Sequence, residues 1–72
     1  MDLLEIKEKR KMSREQAAKL LHQVADALER QNKLNFEREG VKFVVDVANQ
    51  VDFELELEVG DDDNSLEIEI SW

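Results

Sequence analysis

Apolar and polar positions along the chain change period twice. From Leu3 to Met12, the residues Leu4, Ile6 and Met12 share one phase, and Glu5, Lys7, Lys9 and Lys11 occupy the other. Alternation at period two predicts a half-buried strand. Glu8 and Arg10 interrupt its apolar phase, which turns its second half toward a sheet edge. From Ala17 the period becomes three and four: Ala17, Leu20, Leu21, Val24, Ala27 and Leu28 form the single apolar stripe of a surface helix. After Asn32 the alternation returns. Leu34 and Phe36 open one strand, Val41, Phe43, Val45 and Val47 form the next, and Val51, Phe53, Leu55, Leu57 and Val59 a third. Leu66, Ile68, Ile70 and Trp72 form the last, up to the final residue.

The junctions carry matching signals. Ser13-Arg14-Glu15-Gln16 has capping-box form, with Met12 and Ala17 placed as a hydrophobic staple. Asn32 is the candidate left-handed residue at the helix exit. Glu15–Lys19 and Asp26–Arg30 are spaced as i,i+4 ion pairs on the polar face. Glu39-Gly40 predicts a tight turn, and Gly60 to Ser65 a turn by composition. Three short connections in succession predict an antiparallel meander. The expected fold is therefore α+β, in the order β-α-β-β-β-β. One helix packs on one face of a mostly antiparallel five-stranded sheet in two layers, and residues 1–72 form a single domain.

Composition narrows the function. The 72 residues hold 18 acids, ten bases and one histidine, for a formal charge of −8, with no cysteine and no proline. Without cysteine there is neither a disulfide scaffold nor a thiolate metal site. No apolar run reaches the ~20 residues of a membrane span, and no signal-peptide core follows Met1. A chain of pI ≈ 4.5 is poorly suited to gripping phosphate backbones, so neither nucleic acid nor a membrane surface is an expected partner. With 42% apolar residues the chain is expected to fold, as a small cytoplasmic domain.

The phases also locate the charge. Ten acids fall on the expected solvent face of the sheet: Glu5, Glu37, Glu39, Asp46, Asp52, Glu54, Glu56, Glu58, Glu67 and Glu69. Four bases share it, Lys7, Lys9, Lys11 and Lys42, so that ten against four places −6 of the −8 on one surface. In a hairpin, Glu54, Glu56 and Glu58 lie near Glu67 and Glu69, and facing like charges destabilise. The lysine row is the available compensation, which favours the first strand beside the last, in the order 2-3-4-5-1, with Lys7 and Lys9 against Glu67 and Glu69.

This layout resembles the amphi-Trp domain family, small and largely archaeal proteins named for amphipathic alternation that ends in a tryptophan. The likeness is carried by Glu5-Ile6-Lys7, Ser13-Arg14-Glu15-Gln16-Ala17-Ala18, Leu55-Glu56-Leu57-Glu58 and the closing Leu66-Glu67-Ile68-Glu69-Ile70-Ser71-Trp72. It spans essentially the whole chain. Gln31-Asn32-Lys33, where a glycine would be expected, is a departure at the helix exit. The resemblance implies domain extent and brings no reaction, substrate or site with it.

Candidate chemistry is sparse. Trp72 falls in the apolar phase and is expected to close one end of the core, as Phe43 and Phe53 fill its middle. His22 has no second histidine or cysteine with which to hold a metal, and is expected to be solvated near Asp26. Asp61-Asp62-Asp63-Asn64 offers oxygen ligands, yet Leu66 and Trp72 stand where an EF-hand loop needs glycine and glutamate, so a plain turn is expected. Ser13, Ser65 and Ser71 have no base in reach that the sequence shows. No catalytic residue, metal or cofactor is expected, and the chain is read as non-enzymatic. The expectation is an interaction module that meets a basic protein segment through Glu54, Glu56, Glu58, Glu67 and Glu69, or through a sheet edge. The alternative is a domain that associates with itself.

Overall fold

A computed structural model describes residues 5–72. It is an α+β structure with one helix and four strands: α1 (Arg14–Arg30), β1 (Lys33–Arg38), β2 (Val41–Asp46), β3 (Asp52–Val59) and β4 (Asn64–Ser71). The strands form two separate two-stranded antiparallel sheets, β1–β2 and β3–β4.

The helix begins and ends where its local chemistry dictates. Ser13 has an extended backbone, and its Oγ accepts the Gln16 N–H at 3.1 Å. The Gln16 Oε1 accepts the Ser13 N–H at 3.1 Å, which completes the capping box. Such a cap contributes on the order of 1 kcal/mol, because it satisfies donors that no helical carbonyl can reach. Met12 and Ala17, the staple pair, are both half-buried. At the other end the Gln31 N–H donates to the Ala27 carbonyl and Asn32 adopts φ 56°, the left-handed exit. Asparagine tolerates this region, so no glycine is needed there. Of the expected ion pairs on the polar face, neither forms within 4.0 Å; Arg14 meets its neighbour Glu15 at 3.3 Å instead.

Both hairpins follow their turn residues. Glu39 (φ 52°) and Gly40 (φ 78°) are the positive-φ pair of a type I′ turn, whose twist suits two right-twisted strands. This sets Leu34 opposite Val45 and Phe36 opposite Phe43 on one face, and Lys33 opposite Asp46 and Glu37 opposite Lys42 on the other. In the second hairpin the Gly60 N–H donates to the Asp63 carbonyl at 2.9 Å. Its register pairs Phe53 with Ile70, Leu55 with Ile68 and Leu57 with Leu66.

The single five-stranded sheet and its strand order are not what the structure forms. Residues 5–12 contain no strand; the part of the expected strand on residues 1–4 lies outside the described residues. The cause is visible in the charges: Glu8 and Arg10, which would occupy the apolar phase, pair with each other at 2.9 Å in solvent. Nor does this segment lie beside the last strand. The Arg38 guanidinium donates to the Lys7 carbonyl at 3.3 Å, and residues 6–9 line one cleft with Phe36–Glu39. Lys7 and Lys9 therefore do not face Glu67 and Glu69.

The two sheets also fail to join through β2 and β3. The Val47 N–H donates to the Asn32 carbonyl at 2.9 Å, which extends the β1–β2 ladder by one pair before the chain leaves toward β3. Helix α1 packs on β1, where Ala27, Leu28 and Leu34 are half-buried. No Cα of β3 or β4 lies within 8 Å of one in α1 or β2. The consequence is an open molecule. Its radius of gyration is 14.2 Å, against about 11 Å for a compact domain of this length. No described residue is fully buried. Phe53 is 63% exposed rather than central to a core, while Phe43 is half-buried over the first hairpin.

Candidate functional site

The β3–β4 hairpin has two unlike faces because its strands alternate strictly. Cross-strand partners point the same way, so Glu54 opposes Glu69, Glu56 opposes Glu67, and Glu58 opposes Ser65, all on one side. All five glutamates expected to form a docking face are thus brought together, and all are exposed. Asp52, opposite Ser71, extends the row. Three other acids assigned to this surface from the sequence, Glu37, Glu39 and Asp46, go elsewhere. Glu37 faces Lys42 and Asp46 faces Lys33 on the first hairpin, with Lys33 Nζ 4.0 Å from Asp46 Oδ1. Glu39 sits in the β1–β2 turn.

The electrostatic contrast between the hairpins is sharp. On β1–β2 each acid of the polar face has a base opposite. On β3–β4 two acid–acid pairs face each other, and none of these glutamates makes an ion pair within 4.0 Å among the described residues. Residues 51–72 contain nine acids and no base, whereas all ten bases lie between Lys7 and Lys42. Opposed like charges raise the free energy of the hairpin. The face therefore carries a concentrated negative field that a cation or a basic group would relieve.

The root of this hairpin holds a feature that alternation did not reveal. Trp72 is 51% exposed and does not close a core. Its indole Nε1–H donates to the Asp46 carbonyl at 3.0 Å and ties the end of the chain to the end of β2. The available signal was the amphipathic character of tryptophan, since an indole N–H at a strand terminus seeks an acceptor. Beside it Leu28, Asn32, Val47, Val51 and Ile70 line a small cleft. His22 is exposed on α1. No group of three or more metal-ligating side chains occurs among the described residues, and Asp61–Asp63 make the loop between β3 and β4.

Comparison with known families decides the relationship. The family model described as the Amphi-Trp domain matches residues 2–72. The chain belongs to the Amphi-Trp domain family. No curated protein and no solved structure matches it. The Amphi-Trp match covers both the capped helix and the alternating hairpin that ends at Trp72. No helix among the described residues is long and apolar enough to cross a membrane.

Proposed function

We propose that this Amphi-Trp domain is a non-enzymatic interaction module whose acidic hairpin face docks a basic segment of another protein. The observation that carries the reading is the register Glu54–Glu69 and Glu56–Glu67, two rows of like charge with no base beside them. A lysine- or arginine-rich segment laid along those rows replaces repulsion by attraction, and long-range steering speeds its approach. Such a ligand needs no pocket, and its binding weakens as salt rises. The outer edge of β3 lies along the same hairpin, so an extended segment can add backbone hydrogen bonds to the ionic ones. The same acidity disfavours nucleic acid and anionic membranes as partners, and we place the module in the cytoplasm of an archaeal cell.

Titration of an oligolysine peptide into isotopically labelled protein tests this. Amide shifts are expected to concentrate on Glu54, Glu56, Glu58, Glu67 and Glu69 and to shrink with added salt. Shifts spread evenly over the chain, or none at all, would reduce the face to a solvated surface.

A further inference from the structure

We infer that the uncovered apolar faces of this chain are covered by a second copy of itself, with the β3–β4 hairpin of each protomer seated on helix α1 of the other. Three observations carry this. First, the accessible surface is 7311 Å², whereas a compact monomer of 8.4 kDa exposes about 4,600 Å². The surplus, about 2,700 Å² per chain and so about 5,400 Å² for two, reaches the upper end of what obligate homodimers bury in total and exceeds what a transient contact needs. Second, two of the exposed apolar surfaces suit each other. The apolar side of the hairpin presents Leu57 (72% exposed), Val59 (74%) and Phe53 (63%), and the α1 stripe presents Leu20, Leu21 and Val24, 39–51% exposed. A sheet face and a helix stripe are the two halves of a two-layer core.

Third, the charges are complementary across such a contact. The loop at the tip of the hairpin carries Asp61, Asp62 and Asp63, which lie off the outward glutamate face. Residues 7–11, ahead of α1, carry Lys7, Lys9, Arg10 and Lys11 against Glu8. Within one chain these groups do not meet, because the hairpin root is held at Asp46 by Trp72 and at Asn32 by Val47. Held there, β3 and β4 stand clear of their own helix. A two-fold exchange satisfies both surfaces of both protomers at once and closes on itself, so it makes a dimer and not a fibre. It leaves the glutamate rows pointing outward, and so stands apart from whatever those rows bind.

The test is the mass of the full chain by light scattering, with mixed-label NMR on the same sample. Twice the 8.4 kDa chain mass is expected, with intermolecular contacts from the Leu57 and Ile68 methyls to Leu21 and Val24. The variant Leu57→Asp should halve the mass while the helical circular dichroism of the capped α1 persists. A chain that stays at 8.4 kDa at high concentration overturns the inference, whether the hairpin then rests on its own helix or stays open. A dimer whose intermolecular contacts omit α1 also overturns it.

Discussion

The indole Nε1 of Trp72 lies 3.0 Å from the backbone oxygen of Asp46, 26 residues earlier in the chain. This bond and the short link after β2 are what join the two hairpins, since no strand pairing does so. It also takes the last carbonyl of β2, so the end of that strand is already satisfied when the chain turns toward β3.

Replacing Trp72 by Phe keeps an aromatic ring and removes the donor. A net loss of about 1 kcal/mol is expected, the ordinary worth of one intramolecular hydrogen bond, read from chemical denaturation. The amide of Val47, which follows the freed carbonyl, should shift in NMR spectra. An unchanged midpoint together with an unmoved Val47 amide would show that the clamp does not form in solution.

The turn between β1 and β2 offers a paired test of backbone strain. Glu39 holds φ 52° and Gly40 φ 78°, and a Cβ added at Gly40 would meet no atom within 4 Å. Gly40→Ala should therefore lose stability through backbone conformation alone, by about 1 kcal/mol. Glu39→Asn should raise the melting temperature, because Asn-Gly is the preferred pair for a type I′ turn. Equal effects of the same sign from the two variants would rule out this turn geometry.

Opposed carboxylates make the hairpin sensitive to salt. The melting temperature is expected to climb as salt is added from low ionic strength, where repulsion between Glu56 and Glu67 is least screened. Glu56→Lys turns that pair into an attraction and should raise the low-salt melting temperature while flattening the salt response. The same variant should weaken oligolysine binding. If it melts lower than the parent at low salt, the facing register is wrong.

Local signals along the chain were enough for the helix and the four strands after it taken singly, though not for the strand expected over Leu3–Met12. Ser13 and Gln16 marked the start of α1, Asn32 its exit, and Glu39-Gly40 the first turn, because caps and turns are decided by residues within a few positions of one another. Strict alternation was enough to gather Glu54, Glu56, Glu58, Glu67 and Glu69 on one face, since a hairpin register follows from its turn.

How the elements meet was not legible, and two residues show why. Lys7 was expected beside Glu67 from charge alone, yet charge acts without direction, and the hydrogen bond from Arg38 to the Lys7 carbonyl holds that segment along β1. Trp72 was expected inside from its phase, yet phase names a side of the strand and not what covers it; the Asp46 carbonyl decides where the indole goes. The amino-acid sequence thus determined the helix, the four strands after it, their faces and the seat of the negative charge. Only the tertiary structure decided that the two hairpins form separate sheets and leave the apolar side of the second uncovered. Contacts between elements distant in the chain depend on single directional bonds, and neither periodicity nor composition encodes those.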